Sequence, residues 1–581
     1  MTDVSNRNVL WARSLAAEWA NLGVTEVCIG SGSRSAPLVE AFSNDERFRI
    51  HPHVDERSAA FLALGVGAAT GRPAAVVTTS GTAAVNLFPA VVEASQSGIP
   101  LLLVTADRPA SLRGSDANQT IDQADLFGQY PRLALDLSTP ELTPDALDNL
   151  RAAARRAWVA TVENPCGPVQ VNVQFEKPLD PTMIPGDISL ISQNPEMLLK
   201  GNARPVEVRR SCESGDELAR LIDGATRPLI ICGPNHDSAI GRSALTLASA
   251  LGSPVVGDPL SGTRFAPKAI GTTMGYADLS LSDEEVAAAL TPDVIVRVGR
   301  APTSASTLRF LKRHASARQI VLDGSDLWKD HLSTATHYVV ADPATTLRTA
   351  ANIVASNAGH EWLDQWRRVD AATAAAVVPT LDQTWFEGAI AAAIADGLSP
   401  DSTWFIGNSM PIRDVDAFAG VREQSFETIG FRGASGIDGN VSGALGAAIA
   451  RGKPAVALIG DLTLLHDVGA LLVDRSISVT LRLIVIQNRG GGIFHMLPIR
   501  EYDPPFTPYL VMPQQVELSG VAAAAGIPHS LVASIDELRQ ELKKPEGPGL
   551  KIVEAQIDRY ENWDHRETTV QCAQSAARSS L

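Results

Sequence analysis

Cysteine is scarce in this chain: five residues (Cys28, Cys166, Cys212, Cys232 and Cys572) are scattered through 581 positions with no CxxC pair. That spacing excludes a disulfide framework and a cysteine-based zinc site, and it suits a reducing compartment. No apolar run is long enough to span a bilayer, and residues 1–21 lack the apolar segment of a secretory signal. The expected location is cytoplasmic, without a membrane span. Basic runs are missing too, and the net charge is −16, which argues against a general nucleic-acid binder. Gly233-Pro234-Asn235 follows an apolar run, but no GxGxxG develops from it, so a dinucleotide fingerprint is absent there. What remains is an ordinary globular composition. Its length exceeds what one core supports, so about two to four domains are expected.

The most informative stretch runs from Ala455 to Phe494. AVALIG (Ala455–Gly460) and LRLIVIQN (Leu481–Asn488) are short, apolar and β-branched, as buried strands are. Between them Leu464, Leu465, Val468, Leu471 and Leu472 recur at helical spacing. A strand, helix and strand in so short a span predict a βαβ unit with parallel strands. Asp461 and Asn488 then lie just past strand C-termini, the edge where open α/β sheets bind ligands. A helix N-terminus beside Asp461 suits a phosphate. The carboxylate and the amide oxygen suit a hard cation such as Mg²⁺, and the glycines after Asn488 let backbone approach a ligand closely. Gly-Asp-x followed 27 positions later by Asn resembles the fingerprint of thiamine diphosphate (ThDP) enzymes.

The N-terminal third follows a similar plan. Residues 9–22 read as an amphipathic helix, VTEVCIG as a strand ending at Gly30, and Glu56 falls where a strand turns into a helix. Gly65, Gly71, Pro73, Val104 and Arg108 reappear as Gly446, Gly452, Pro454, Val485 and Arg489, all offset by 381. This predicts two copies of one α/β plan, with Glu56 aligned to Ile437 and Ser80 to Asp461. Residues 180–206 are Pro-rich and read as a linker. A third doubly wound parallel sheet is expected from PLIICG, SPVVGD, DVIVRVG, RQIVLDG and THYVVAD. Residues 345–397 read as mostly helical, and the tail after Asp558 shows no clear pattern and is expected to be mobile.

The resemblance to ThDP enzymes gives these residues roles. Such enzymes need a Mg²⁺–diphosphate anchor, an apolar residue that bends the cofactor, and a glutamate against its aminopyrimidine ring. Glu56 in Val54-Asp55-Glu56-Arg57 matches that glutamate, and Ile437 is the candidate apolar wedge. The segments Gly30–Ser35 (GSGSRS), Thr105–Pro109 (TADRP), Ala117-Asn118-Gln119, Gly407-Asn408-Ser409 with Arg413, Arg432–Gly439 (RGASGIDG) and Gly492-Ile493-Phe494 narrow the match. Across nearly the whole chain they resemble the ThDP-dependent 2-succinyl-5-enolpyruvyl-6-hydroxy-3-cyclohexene-1-carboxylate (SEPHCHC) synthases of menaquinone biosynthesis.

That resemblance implies three α/β domains: pyrimidine-binding (1–182), central (206–355) and diphosphate-binding (380–560). It implies an enzyme that decarboxylates 2-oxoglutarate and adds the succinyl carbanion equivalent to isochorismate. The cofactor would be held by Thr79, Gly81, Asn408, Ser409, Ile437, Gly460, Asp461, Leu462, Thr463 and Asn488, with Leu462 in place of the second Gly of the common GDG form. Mg²⁺ or Mn²⁺ would sit on Asp461, Asn488 and Gly490, with Asp438 outside that set. Ser409 and Arg413 would face the succinyl carboxylate. Ser33, Arg34, Arg108, Gln119 and Arg432 would surround isochorismate, with Ile493, Phe494 and Leu497 on the apolar side. The family assembles as a homodimer or a dimer of dimers, with sites between subunits. One departure stands out: where some relatives carry a central-domain lysine, this chain reads Arg300-Ala301-Pro302-Thr303-Ser304-Ala305-Ser306. Either Arg300 or Arg309 substitutes, or that contact is absent. A carboligase or decarboxylase of the acetolactate synthase type is the alternative within enzymes. It would act on smaller 2-oxoacids and need fewer carboxylate-binding arginines. A non-catalytic ThDP-binding relative is the alternative outside them, and retention of Glu56 with Asp461 and Asn488 argues against it.

Overall fold

The computed structural model describes residues 4–194, 214–354, 360–473, 479–545 and 547–581. Among them, eighteen strands build three six-stranded sheets, every pairing parallel. The first sheet comprises β1 (Glu26–Gly30), β2 (Arg49–His53), β3 (Ala75–Thr78), β4 (Leu101–Asp107), β5 (Leu133–Leu137) and β6 (Pro168–Gln174). The second comprises β7 (Pro228–Cys232), β8 (Val255–Gly257), β9 (Thr273–Met274), β10 (Val294–Val298), β11 (Arg318–Asp323) and β12 (His337–Val340). The third comprises β13 (Thr403–Ile406), β14 (Glu427–Ile429), β15 (Ala455–Gly460), β16 (Thr480–Gln487), β17 (His529–Val532) and β18 (Gly549–Gln556). The central strands are buried along their length, Thr480 at the start of β16 excepted, as expected where helices cover both faces of a parallel sheet. No described helix is long and apolar enough to cross a membrane.

The duplication is visible in the topology. The first sheet runs β2-β1-β3-β4-β6-β5 and the third runs β14-β13-β15-β16-β18-β17, the same order strand for strand. In each, the chain reverses direction across the sheet between the first and third strands, β1/β3 and β13/β15. Ligands of doubly wound sheets bind at such a switch point.

The described chain divides into two compact units. One holds residues 4–194, 431–452 and 466–473 with 479; the other holds the described residues of 214–430, 453–465 and 480–581. Within the first unit, helix Glu56–Thr70 packs against helix Asn440–Arg451. A Cβ on Gly65 would come within 2.1 Å of the Gly443 carbonyl oxygen, and one on Gly446 within 2.0 Å of the Leu62 oxygen. Gly446 is the 381-offset partner of Gly65, and Gly443 that of Leu62, so the crossing has local two-fold symmetry. Two small residues at its centre let the backbones meet. Gly71 and Gly452, another offset pair, end these two helices in the left-handed conformation at φ 66° and 58°.

Three expectations need correction. The segment between β15 and β16 is not one helix: Asp461–His466 is helical, Val468–Leu472 is a separate 3₁₀ turn, and 474–478 lie outside the described residues. Asp467 divides them. Its buried carboxylate accepts from Ser442 N and Oγ and from Ser58 Oγ, and burial pushes its pKa up to about 6. Second, the stretch read as a linker contains helix Pro185–Gln193, started by its proline. Residues 180–184 and 194 are not helical, and 195–206 lie outside the described residues. Third, the tail is a helix, Arg559–Ser579. Asp558 caps it by accepting from Tyr560 N and Glu561 N at 2.8 and 3.0 Å. Ala573 and Ala577 are buried in the second unit's core.

Candidate active site

In the first unit, the loops that follow β1 and β3 meet at the switch point. A Cβ on Gly32 would come within 2.2 Å of the Thr79 Cβ, so only glycine lets the Ser31–Ser33 loop lie on Thr79. Gly81, at φ 87°, donates its N–H to Gln123 Oε1 at 2.8 Å. Gln119 donates to the Ser80 carbonyl at 2.9 Å, and the Ser80 hydroxyl donates to the Gln119 carbonyl at 3.0 Å. Glu56 opens its helix after the Asp55 N-cap. Its Oε2 accepts from Asn86 Nδ2 at 3.1 Å. A Cβ on Gly30 would lie 2.9 Å from Glu56 Cγ, so that glycine makes room for the glutamate.

The same edge carries two guanidiniums. Arg34 is buried and donates one bond, to the Phe175 carbonyl at 2.7 Å. Its Nε and that of Arg108 are buried with no hydrogen-bond partner. Burial first, and repulsion from Arg108 second, hold Arg34 below its usual pKa. Unpaired buried N–H groups on neighbouring cations are costly unless an anion accepts from them. Ser33 is exposed beside Arg34.

Arg432 and Ile437 lie half-buried in a loop of this unit. One buried side chain holds that loop. Glu93 accepts from Gly433 N (2.7 Å), Ala434 N (2.7 Å) and Ser435 N (3.1 Å), and Ser97 Oγ also donates to it. Sequence reasoning missed Glu93, which lies mid-helix and about 340 residues away; an acid within the buried face of helix Phe88–Ser97 was the available signal.

In the second unit, Asn408, Asp461 and Asn488 follow β13, β15 and β16, three neighbouring strands. Asp461 is 2% exposed and accepts from Leu462 N at 2.6 Å and Gly490 N at 2.9 Å. Burial pushes its pKa up to about 6 despite those bonds. Gly490 needs its φ of 141° and its lack of a Cβ, which would fall 2.3 Å from the Val511 oxygen. Gly460, Leu462 and Thr463 flank Asp461, and space is open where a Gly460 Cβ would stand. Ser409 takes φ 71°, and Arg413 donates to its carbonyl at 2.5 Å. Ile493 and Phe494 occupy the short helical turn Gly492–Met496, followed by Leu497, 48% exposed.

Behind Asn488 lies a polar core that the sequence did not reveal. Asn488 Nδ2 donates to Glu387 Oε1 at 2.8 Å, and Glu387 N donates to Asn562 Oδ1 at 2.8 Å. Arg566 pairs with buried Asp414 and sits over the Phe418 ring at 5.1 Å. Glu387 Oε2 and Asp414 Oδ2 are both buried without a partner. Burial and the Asp414 charge push Glu387 up to about 8, and burial raises Asp414 as well.

The donors in the second unit fit a small hard cation: one buried carboxylate, one amide oxygen and the backbone at Gly490. No group of three or more His, Cys, Asp or Glu residues is assembled for a metal among the described residues, so a thiolate or imidazole centre is not offered there.

The chain matches two family models: the N-terminal TPP-binding domain of thiamine pyrophosphate enzymes over residues 11–126, and the middle domain of thiamine pyrophosphate enzymes over 209–406. It is 40% identical to the SEPHCHC synthase of Halobacterium salinarum, covering 97% of each chain. It is 36% identical to that of a Roseiflexus species, covering 99% of each. A solved structure from Mycobacterium smegmatis, described as thiamin diphosphate-dependent, superposes with a TM-score of 0.69 at 18% identity, over 92% of this chain and 97% of that one; it speaks to the fold alone. By identity over nearly its full length, the chain belongs to the family of 2-succinyl-5-enolpyruvyl-6-hydroxy-3-cyclohexene-1-carboxylate synthases within the thiamine pyrophosphate enzymes.

Proposed function

We propose that this protein decarboxylates 2-oxoglutarate and joins the succinyl fragment to isochorismate, giving SEPHCHC and CO₂ for menaquinone biosynthesis in the cytoplasm, with ThDP and Mg²⁺ or Mn²⁺. The observation that carries the choice of substrate is the pair Arg34 and Arg108, two guanidiniums at one edge of the first sheet with unpaired buried Nε groups. A site of that kind suits a carboxylate-rich acceptor. ThDP supplies the electron sink for decarboxylation and carbon–carbon bond formation. The chain supplies placement. Asp461, Asn488 and the Gly490 backbone would hold the cation at the diphosphate end of the cofactor. Gly460, Leu462, Thr463 and Asn408 border that end; Thr79, Gly81 and Ile437 border the rest of the cofactor. Glu56 would accept from or donate to the aminopyrimidine ring and hold or move a proton there. Ser409 and Arg413 receive the distal carboxylate of 2-oxoglutarate. Ser33, Arg34, Arg108, Gln119 and Arg432 receive isochorismate against Ile493, Phe494 and Leu497. The domains are pyrimidine-binding (1–182), central (206–355) and diphosphate-binding (380–560).

The test is CO₂ release from 2-oxoglutarate and from pyruvate, with and without isochorismate, and the product mass. Release from 2-oxoglutarate with a SEPHCHC mass supports the proposal. Pyruvate as the better substrate overturns it in favour of an acetolactate synthase type. The division of the site makes a sharper prediction. Arg413→Ala is expected to raise KM for 2-oxoglutarate more than for isochorismate, and Arg34→Ala the reverse, each by about 1.5–3 kcal/mol for a lost bond to a charged group. Equal effects on both substrates would refute this assignment.

The assembly is a homodimer or dimer of dimers, each site taking Glu56 from one subunit and Asp461 from the other. Mixing two inactive variants, Glu56→Gln and Asp461→Ala, is expected to restore activity, because one site of each mixed dimer is then wild type. Mixed dimers that form and stay inactive would place the site within one chain.

A further inference from the structure

We propose that Glu387 is a positioning residue for the cation site, one that turns the Asn488 amide so that its oxygen, not its nitrogen, is presented to the metal. The inference rests on the reading of Asp461 and Asn488 as metal ligands and goes beyond it. A primary amide has one face that accepts and one that donates, and only the accepting face binds a cation. Rotation by half a turn would exchange them at little steric cost. Something must therefore select the orientation, as outer partners do for metal-bound histidine and carboxylate.

Glu387 makes that selection. Its Oε1 lies 2.8 Å from Asn488 Nδ2, and a carboxyl oxygen without a hydrogen accepts only from the NH₂ side. The covalent geometry of the amide then puts Oδ1 on the opposite side. Gly492 keeps the arrangement open: a Cβ there would stand 2.8 Å from Asn488 Nδ2. Glu387 is itself fixed. It is 1% exposed, begins helix Glu387–Gly397, and its N–H donates to Asn562 of the tail helix at 2.8 Å. Its other oxygen, like Asp414 Oδ2, has no partner in the buried space. A single proton held by the carboxyl pair would satisfy both. Asp414 is anchored in turn by Arg566. The tail helix thus braces the residue that aims the amide, although neither Asn562 nor Arg566 is a ligand.

The test uses Mn²⁺ as the probe, titrated into protein with ThDP and followed by electron paramagnetic resonance, alongside the melting temperature of the metal-free protein. Glu387→Ala is expected to weaken Mn²⁺ binding by about 10- to 100-fold, the usual effect of removing an outer-shell partner. Glu387→Gln keeps an oxygen for Asn488 and supplies an NH₂ for Asp414, so it should bind Mn²⁺ nearly as wild type does. In an Asn488→Asp background, both faces of the ligand carry oxygen and nothing needs orienting; there Glu387→Ala should leave affinity unchanged or improve it. An equal loss in both backgrounds, or no loss in either, overturns the inference. If Glu387→Ala and the size-matched Glu387→Met both fail to fold, Glu387 serves the fold, and the inference is likewise overturned. If wild-type protein with ThDP binds no Mn²⁺, the metal-site reading itself fails and takes this inference with it, an outcome distinct from the others.

Discussion

Glu56→Gln is expected to fold and bind cofactor yet lose about 100- to 10,000-fold in turnover, the scale of a positioned proton-transfer group. The structure gives reasons to expect the fold to survive. Asp55, not Glu56, caps the helix, through Arg57 N at 2.9 Å. Gln has the same length, so it still fits the space that Gly30 leaves. An amide oxygen can also still accept from Asn86 Nδ2, as Glu56 Oε2 does at 3.1 Å. On the proposed role, what disappears is the ability to exchange a proton with the aminopyrimidine ring. The informative measurement is the C2 proton–deuterium exchange rate of bound ThDP. Exchange at the wild-type rate in a folded, cofactor-loaded Glu56→Gln variant would remove Glu56 from the chemistry. A loss of turnover with unchanged exchange would move its role to a later step. Asn86→Ala provides a milder comparison, since it frees the carboxylate without removing it.

The parts of this fold that repeat, or that lie close in sequence, were legible before any coordinates. The 381-residue offset is carried by glycines that end the helices and sit at their crossing, Gly71 with Gly452 and Gly65 with Gly446. The crossing positions leave no room for a Cβ, and the helix ends take a left-handed φ that favours glycine, so the signal survives while polar residues diverge. Asp461 and Asn488 were legible because a βαβ unit fixes where strand ends fall, and β15 and β16 do pair side by side. The helix expected between them was not continuous. Helical spacing of apolar residues describes a tendency, whereas Asp467 is held by Ser58 and Ser442 in contacts that only the folded chain brings together.

Illegible features share a different property: their partners are distant in sequence and polar. Glu93 is an acid within a helix, with nothing nearby in sequence to pair with, yet it closes the loop at 433–435. Glu387 reads as a favourable first-turn acid, yet it is buried against Asn488, 101 residues on. The tail has too few large apolar residues to show a period. It buries alanines, and it uses Asn562 and Arg566 for bonds inside the second unit. Periodicity detects faces built from large apolar groups; it is blind to a helix held by alanine packing and buried polar contacts.

Asp461→Ala is expected to abolish binding of ThDP with Mg²⁺, the largest effect among single changes at the cation site. Mg²⁺ keeps strict octahedral geometry and is held by only one or two protein carboxylates with phosphate oxygens and water. Asp461 is the one carboxylate among the proposed ligands. The alanine variant also strips the Leu462 and Gly490 N–H groups of their acceptor, so a companion, Asp461→Asn, separates charge from hydrogen bonding. The amide oxygen still accepts, but the charge is gone. Without metal, the buried Asp461 carboxylate is a liability: burial raises its pKa from 3.8 to about 6. Its favourable, neutral form is fully present below the unfolded value, and that contribution is lost as pH rises through about 6. Metal-free Asp461→Asn should therefore gain in melting temperature relative to metal-free wild type between about pH 4 and pH 7, and the difference should level off above that. Adding Mg²⁺ and ThDP should reverse the order: wild type rises by mass action, about 2.7 kcal/mol at a hundredfold excess over Kd, and neither variant responds. Asp438→Ala should keep the response, since Asp438 stands outside the proposed ligand set. Calorimetry showing wild-type ThDP affinity in Asp461→Ala would remove this carboxylate, and the cation site built on it, from the protein.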